Sequence, residues 1–355
     1  MRKPITNFEN FRDVLSAYRL PRVILAAIEL NLFTVIGKQT WTLADLAREL
    51  KVSERGLSIL CRNLAMAGLI HKTGSQYRNS PLAATALNAD DSAYRGQYLD
   101  LIANHWDDWA RLVESVRSGE PLDKEEPEEP DYRRNFTWAM HHRTLDTAPK
   151  IAAQLSLKGA KTLLDLGGGP GTYAMAFVAK NPELRATVCD RPAALEVAKE
   201  IAATKKFSAR LSYLPLDFLT EDIPGPFDVI WYSNVLHIYS PEQNQAVFQR
   251  VRAALAPGGR FILQDAFLHD REGLFPEEAS LFAVSMLLFT ETGNTYSSTE
   301  TTKWLKDARF KSVKLVKMRK GTEDWDGGIL MASNPAGSPR RPIRRRSPTR
   351  GSRSR

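Results

Sequence analysis

The sequence feature that most constrains the fold is a run near the middle of the chain in which a short apolar segment is followed by glycines. Residues 162–166 place three leucines around one carboxylate, Asp165, a pattern typical of a short buried strand. Four glycines and a proline occupy 167–171, and residues 173–180 have the composition of a helix. The segment therefore predicts strand, sharp turn and helix, the place where an open parallel α/β sheet binds its ligand.

The spacing of these glycines separates two kinds of nucleotide cofactor. A dinucleotide fingerprint requires glycine at the first, third and sixth positions, but counting from Gly167 the sixth residue is Thr172. The spacing of Gly167, Gly169 and Gly171 is instead similar to motif I of S-adenosylmethionine-dependent methyltransferases. A glycine turn without a ligand is the structural alternative, but such a turn needs fewer glycines, because each one costs conformational entropy on folding.

Two further predicted strands lead to carboxylates. Residues 185–190 end in Asp190, where an acid can accept both ribose hydroxyls of an adenosine. Residues 209–214 form the third strand, and Asp217 and Phe218 follow it. There the carboxylate can accept the adenine amino group while the aromatic ring covers the base.

A fourth strand over 227–234 and a fifth over 260–265, after a helix ending at 257–259, should be neighbours. That arrangement places His237 beside Asp265 at the cofactor end of the sheet. Imidazole is the usual base near neutral pH, and a carboxylate on its other nitrogen fixes the tautomer; a histidine that only caps a loop is the alternative. The residues expected to bind S-adenosyl-L-methionine lie at the ends of the first four strands: Asp165, Gly167, Gly169, Gly171, Asp190, Arg191, Asp217, Phe218 and Ser233.

Length and composition favour a two-domain globular protein. The chain has 355 residues, of which 43% are hydrophobic and 25% charged. No apolar run approaches the ~20 residues that a membrane helix needs, and the first residues lack an apolar signal core, so a cytoplasmic protein is expected. Cys61 and Cys189 lie in apolar contexts and are expected to be reduced core thiols.

The net charge of +8 is concentrated at the C-terminus. Residues 335–355 contain eight arginines and no acid, whereas the rest of the chain balances 41 basic against 41 acidic residues. The composition of this tail predicts disorder. We expect a solvated appendage, with weak contact to nucleic acid or anionic surfaces as the alternative.

The N-terminal part has a winged-helix pattern. Residues 8–36 are predicted to be helical, followed by helices over 42–50 and 53–68 and a hairpin over 69–78. A DNA-binding regulator with a ligand-sensing domain is therefore one hypothesis, and residues 1–80 do carry twelve basic against six acidic side chains.

The predicted recognition helix argues against DNA binding. It offers only Arg55 and Arg62 against Glu54, whereas DNA recognition requires several Lys or Arg for phosphates as well as base-reading groups. Dimerisation, together with a wall for the active site of a partner subunit, is the favoured role.

The middle of the chain adds an aromatic-rich helical stretch over 90–118 and an acidic, proline-broken loop. Neither this loop nor the pair His141 and His142 is expected to bind metal, because prolines keep the carboxylates apart and adjacent helix positions point about 100° apart. The predicted division of the chain is a dimerisation domain over 1–118, the acidic loop over 119–131, a methyltransferase domain over 132–334 and the tail over 335–355.

From about residue 10 to 333 the chain resembles the plant-type small-molecule O-methyltransferases, which include caffeic acid and hydroxyindole O-methyltransferases and many bacterial natural-product enzymes. The resemblance depends on Ala-Ile-Glu-Leu-Asn-Leu-Phe at 27–33, the glycine turn, Asp-Arg-Pro at 190–192, and Leu-His at 236–237 ahead of a helix that starts with Pro-Glu. It implies an α/β, Rossmann-like class I methyltransferase sheet with helices on both faces, an N-terminal winged-helix dimerisation domain, a homodimer and S-adenosyl-L-methionine as cofactor.

The resemblance also implies that His237 deprotonates an acceptor hydroxyl. The family usually supports this histidine with a glutamate, and here Asp265 is shorter by one methylene. A second family glutamate would fall near Thr295 or Tyr296, and the aspartate that often follows the histidine is Ile238. Some relatives methylate carbon or use the cofactor differently, so both remain alternatives.

The acceptor pocket is expected to include the helix over 276–290. Periodicity alone would make its apolar side chains core residues, and the resemblance assigns some of them to the pocket. The residues expected to contact the acceptor are Phe136, Met140, Phe282, Met286 and Phe289. An apolar pocket with one imidazole suits a flat phenolic or polyketide-like acceptor.

Overall fold

The computed structural model describes residues 5–122, 131–269, 272–318 and 328–335, and its N-terminal part is mostly helical. The helices there are α1 (Phe8–Ser16), α2 (Arg19–Glu29), α3 (Leu32–Ile36), α4 (Leu43–Leu50), α5 (Glu54–Met66), α6 (Pro81–Ala86), α7 (Gly96–Ala110) and α8 (Leu112–Ser118). The strands are β1 (Trp41–Thr42), β2 (Ile70–Thr73) and β3 (Gln76–Asn79). β2 and β3 form an antiparallel hairpin, and β1 pairs with the other edge of β3.

The predicted caps of the winged helix are confirmed. The Thr42 side chain accepts a hydrogen bond from the N–H of Asp45, and Ser53 accepts one from Gly56. The helical structure expected over 8–36 is confirmed, and it is divided into three helices. The chain turns after α1, and Asn31 adopts the left-handed conformation with φ 56° between α2 and α3.

The C-terminal part alternates strands with helices. Its helices are α9 (Asp131–Thr144), α10 (Ala148–Gln154), α11 (Thr172–Lys180), α12 (Pro192–Ala203), α13 (Pro241–Ala254), α14 (Glu277–Phe289) and α15 (Ser298–Asp307). Its strands are β4 (Thr162–Leu166), β5 (Arg185–Asp190), β6 (Leu211–Pro215), β7 (Phe227–Ser233), β8 (Leu255–Asp265), β9 (Lys311–Val316) and β10 (Gly328–Ser333).

These strands form one mixed sheet in the order β6-β5-β4-β7-β8-β10-β9. The pairs from β6 to β8 are parallel, and β10 runs antiparallel to both of its neighbours. After β4 the chain adds strands on one side, and with β7 it crosses to the other side of β4. This reversal opens a crevice at the carboxyl ends of β4 and β7, where ligands bind in open α/β sheets.

Alternating residues of the central strands enter two cores on opposite faces of the sheet. Leu164 and Ile230 pack on the face covered by α13 and α15, and Leu163 and Trp231 pack on the face covered by α10 and α11. Cys61 and Cys189 are buried free thiols, as expected. Burial raises the pKa of Cys61 to about 11 and that of Cys189 to about 12.

Several predicted boundaries are wrong. The helix before the fifth strand ends at Ala254, and 257–259 lie inside β8, where the pairing with β7 shifts register. A 3₁₀ turn over Ser208–Arg210 delays the third strand, and the left-handed Asn234 (φ 56°) ends the fourth. The first helix of the stretch over 90–118 begins only at Gly96.

Two predicted segments fall largely outside the described residues: 123–130 of the acidic loop and 336–355 of the tail. Within the described ranges, none of the helices combines the length and apolarity needed to cross a membrane.

Candidate active site

The glycine loop joins β4 to α11 and is held against the end of β5 by backbone hydrogen bonds. The N–H groups of Gly167 and Gly168 donate to the carbonyl of Cys189 at 2.8 and 3.1 Å. Gly167 has φ 68°, and a Cβ added to it would lie 2.7 Å from Cγ2 of Val235. The close approach of this loop to the residues after β7 therefore requires glycine.

Two carboxylates accept hydrogen bonds from the loop and from the helix after it. Asp190 accepts from the N–H groups of Gly169 (2.8 Å) and Arg191 (2.7 Å), and Asp165 accepts from that of Ala174 (3.1 Å). Burial raises the pKa of both carboxyls, that of Asp165 to about 7. Asp165 is fully buried and orders the start of α11, whereas Asp190 stays partly exposed beside the loop.

Asp217 and Phe218 follow β6 and differ in exposure. Phe218 is buried, with its ring edge-on to Tyr239 at 6.0 Å. Asp217 is exposed, and its carboxylate accepts from the N–H of Leu219 at 3.0 Å and from the hydroxyl of Thr220 at 2.8 Å. Asp217 thus stabilises its own turn, and a role toward adenine stays a prediction.

The remaining predicted cofactor residues also lie at this edge of the sheet. Arg191 is the N-cap residue of α12, and Ser233 is the last residue of β7. Gly169 and Gly171 both have positive φ, at 49° and 67°. The fold therefore gathers the predicted set at the carboxyl ends of β4 to β7.

His237 and Asp265 meet on the other side of the crevice, as predicted. His237 Nδ1 lies 2.8 Å from Asp265 Oδ1, and both residues are buried. The same carboxylate oxygen accepts from the N–H of Ala266 at 2.8 Å. Because an ionised carboxylate only accepts hydrogen bonds, a neutral imidazole paired with it holds its ring hydrogen on Nδ1 and its lone pair on Nε2.

The turn that contains His237 is fixed by backbone and amide contacts. The buried Asn244 side chain donates to the carbonyls of Leu236 (2.9 Å) and Tyr239 (2.9 Å). The N–H of Asn294 donates to the carbonyl of His237 at 2.9 Å. Gly293 has room for no side chain, since an added Cβ would lie 2.4 Å from that carbonyl oxygen.

One face of α14 extends away from His237. Phe282 packs edge-on against the His237 ring at 4.7 Å, and Phe289 stacks on the ring of His105 from α7 at 4.8 Å. Phe282, Met286 and Phe289 are spaced i, i+4 and i+7, so they share a helix face. With 1.5 Å of rise per residue, this apolar wall spans about 10 Å between the two imidazoles.

The structure places Phe136 and Met140 one turn apart on α9. Phe136 stacks on Tyr132 at 6.3 Å and lies under the Arg133 guanidinium at 5.9 Å. Both residues are partly exposed, and their contact with an acceptor stays a prediction.

The sequence analysis assigned no contact near the site to His141, His105 or Arg95. Among the described residues no cluster of three or more His, Cys, Asp or Glu side chains is arranged to hold a metal ion. His141 instead forms a buried hydrogen bond with Thr172. Thr137, His141 and Thr144 are all buried polar residues of α9, so no apolar periodicity in the sequence marked this face.

The residues present fit S-adenosylmethionine. The partly buried Asp190 uses its two oxygens for two backbone N–H groups and retains acceptor capacity for two more donors, as a ribose diol requires. A Cβ added to Gly169 would meet only Asp190, at 4.0 Å, so the loop has open space there. The glycine loop therefore leaves space for a nucleoside, and the carboxylate beside it can accept hydrogen bonds from the ribose.

Two family models match the chain. Residues 117–311 match the O-methyltransferase domain, and residues 13–89 match the O-methyltransferase dimerisation domain.

Relatives match over most of their length. A 3-hydroxy-5-methyl-1-naphthoate 3-O-methyltransferase of Streptomyces sahachiroi is 28% identical over 86% of this chain and 90% of its own. The tetracenomycin polyketide synthesis 8-O-methyl transferase TcmO of Streptomyces glaucescens is 29% identical over 88% and 94%. The solved structure of the mitomycin 7-O-methyltransferase MmcR is 26% identical, covers 92% and 96%, and has a TM-score of 0.75.

Proposed function

Because the chain belongs to the O-methyltransferase family, we propose that it methylates a hydroxyl group of a small aromatic or polyketide-like molecule, with His237 as general base. The expected class I methyltransferase fold, S-adenosylmethionine as cofactor and O-methyltransferase activity are confirmed by the family match and the relatives. The acceptor and the roles of individual residues are the proposal.

The observation that supports the proposal most is the hydrogen bond of 2.8 Å between His237 Nδ1 and Asp265 Oδ1. In the neutral imidazole this bond places the hydrogen on Nδ1 and the lone pair on Nε2, and it fixes the plane of the ring. The acceptor hydroxyl gives its proton to Nε2 as the oxygen attacks, and the Asp265 carboxylate stabilises the imidazolium that forms.

S-adenosylmethionine, when bound, supplies an electrophilic methyl group on a sulfonium. Asp190 and the glycine loop would hold its nucleoside, by the fit described above. The protein's own contribution is then positioning of the acceptor oxygen and removal of one proton, and a general base contributes typically about 10²–10⁴-fold.

The wall on α14 supports an aromatic acceptor. Phe282 and Phe289 bracket an apolar face of about 10 Å, which matches two or three fused rings. The names of the relatives, a naphthoate and a tetracenomycin O-methyltransferase, agree with that size. The proposed acceptor is therefore a fused-ring phenol whose hydroxyl lies at the His237 end.

We further propose a homodimer formed through the N-terminal domain. α1 has no buried residue, and its Phe8 and Leu15 side chains are 77% and 60% exposed. Such apolar exposure favours burial against another chain, and the match to a dimerisation domain supports the same surface.

The proposal is tested with labelled methyl donor and a series of phenol, 2-naphthol and hydroxyanthracene. Each additional ring buries roughly 40 Å² of apolar surface, so kcat/KM should rise about fivefold to tenfold per ring. Product NMR locates the methyl group. Transfer to carbon or nitrogen, or no preference for fused rings, contradicts the proposal.

His237→Ala is the matching variant. It should lower kcat by about 10²–10⁴-fold while the Kd for S-adenosylhomocysteine stays within about twofold, since the ring contacts Asp265 and Phe282 on the acceptor side. His71→Ala, in the exposed hairpin, is the control for losing a histidine. Equal kcat in the two variants would remove His237 from the role of base.

A further inference from the structure

His141 links a helix to the cofactor loop although 31 residues separate the two partners. Its Nδ1 lies 2.8 Å from Oγ1 of Thr172, and both side chains are buried. Thr172 is the first residue of α11 and directly follows Gly171 of the loop. The hydrogen bond therefore connects the last full turn of α9 to the point at which the loop becomes a helix.

The His141 ring has little freedom to move. The Trp138 ring meets it edge-on at 5.8 Å with an interplanar angle of 81°. Trp138 itself packs against Met175 of α11 and Val197 of α12. A ring held on one side by an indole and on the other by a hydroxyl keeps one orientation.

His141 is uncharged near neutral pH. Burial, together with the electrostatic effects of His142, Lys205 and Arg95, lowers the pKa of His141 to about 4. A neutral imidazole offers one donor and one acceptor, so it pairs with a hydroxyl without adding a charge near the loop that receives a cationic sulfonium.

The same turn of α9 is also held from the N-terminal domain. The Arg95 guanidinium, just before α7, donates to the carbonyl of His142 and lies 3.0 Å from Oδ2 of Asp146. Because the last four carbonyls of a helix lack intrahelical partners, a cation there stabilises the helix end. Arg95 and Thr172 therefore both form hydrogen bonds with the last turn of α9.

We propose that His141 is a positioning residue for the S-adenosylmethionine site. Through Thr172 it fixes the first turn of α11, and with it Gly171 and the loop. The N–H of Thr172 makes no hydrogen bond within the described part of the chain and is available to a ligand. Arg95 couples the N-terminal domain to this geometry.

The experiment measures the affinity of the full chain for S-adenosylhomocysteine by calorimetry, without an acceptor. Thr172→Val and His141→Phe keep the side-chain volume but remove the hydrogen bond. Loss of one buried hydrogen bond should weaken binding about threefold to tenfold in each. The double variant should bind as weakly as either single variant, because the two residues act as one unit.

Conservative variants separate positioning from mere stability. Thr172→Ser keeps the hydroxyl, and His141→Asn places an amide near Nδ1, so both should stay within about twofold of the original affinity. His142→Asn changes the adjacent histidine, whose Nδ1 has no partner among the described residues, and serves as the control. Arg95→Met should weaken binding about twofold to fivefold, but only while His141 is present.

Unchanged affinity in folded Thr172→Val and His141→Phe, with only the melting temperature lowered, would overturn the proposal, as would additive losses in the double variant. If His141→Phe fails to fold, the comparison of Thr172→Val with Thr172→Ser decides. These results do not depend on the proposed base, because no acceptor is present.

Discussion

The two halves of the proposed active site are built differently. In the cofactor half, the glycine loop and Asp190 come from 167–190, and backbone N–H groups make the contacts. In the acceptor half, His237, Asp265 and Phe282 come from three separate elements, and side chains make the contacts. The backbone at Gly167 tolerates no added Cβ, whereas side chains change one at a time without moving the chain.

This difference explains how one family retains a single cofactor and methylates different acceptors. The relatives named above, a naphthoate O-methyltransferase and an O-methyl transferase of tetracenomycin polyketide synthesis, cover most of this chain at 28% and 29% identity. A change at Phe282 or Phe289 alters the wall without touching the loop. Variants in each half should therefore change different measured quantities.

The largest effect is expected for the acceptor half. Asp265→Ala leaves Nδ1 of His237 without an acceptor, so kcat should fall about 10²–10³-fold while the Kd for S-adenosylhomocysteine stays within about threefold. In Asp265→Asn the Ala266 N–H keeps an oxygen at the Oδ1 position. Asp265→Asn then loses only the charge, so its decrease in kcat should be about tenfold smaller than that of Asp265→Ala. Equal losses would show that the charge, not the hydrogen bond, matters.

Gly167→Ala tests the backbone half. Its φ of 68° and a Cβ only 2.7 Å from Val235 predict both strain and collision. The Kd for S-adenosylhomocysteine should rise by about 10²-fold. Gly159→Ala is the matched control, since Gly159 also has positive φ (85°) but nothing within 4 Å of an added Cβ. Calorimetry that finds equal affinities would disprove the requirement for glycine at 167.

Asp190→Asn should weaken cofactor binding about 10-fold to 100-fold, because a partly buried charged acceptor is replaced by a neutral one. Burial raises the pKa of Asp190, and the ionised form binds. As the pH is lowered, the affinity of the unmodified protein for S-adenosylhomocysteine should therefore begin to fall while the pH is still above the usual aspartate pKa of about 4. The variant should lack this dependence. A pH-independent Kd in the unmodified protein would argue against the assignment.

Asp165 predicts a pH dependence of stability. Burial raises the pKa of Asp165 to about 7 in the folded state, so the folded chain binds more protons than the unfolded chain above pH ~4. Stabilisation of the folded state by protonated Asp165 is therefore complete below pH ~4 and is lost as the pH rises toward 7. Over this range the unfolding equilibrium constant rises by at most about tenfold per pH unit. Urea unfolding of Asp165→Asn should show a smaller decline over this range; an identical slope would contradict the assignment.

The smallest effect is expected for Asp217→Asn. Its exposed carboxylate already accepts hydrogen bonds from Leu219 and Thr220, and an amide oxygen retains one of them. Cofactor affinity should change by about threefold or less. A loss as large as that of Asp190→Asn would give the two carboxylates equal roles.

Sequence reasoning succeeded where local requirements decide the structure. The strand, loop and helix around Gly167 and the caps Thr42 and Ser53 are confirmed. The contact of His237 with Asp265 is not local, and it was predictable because the two residues follow or end strands that were expected to be neighbours. The prediction that a helix ends at 257–259 was wrong. Proline and glycine usually end helices, but here these residues lie in the irregular first part of β8.

The sequence by itself determined the cofactor half and the fold class. The spacing of the glycines and the carboxylate at a strand end indicate a particular local backbone conformation. Such a conformation depends on residues that are close together in the chain. Only the tertiary structure decided three contacts. His141 forms a hydrogen bond with Thr172, His105 stacks on Phe289, and Arg95 donates a hydrogen bond to a carbonyl of α9. These pairs join side chains far apart in sequence, and their meeting follows from helix packing, which no local pattern encodes.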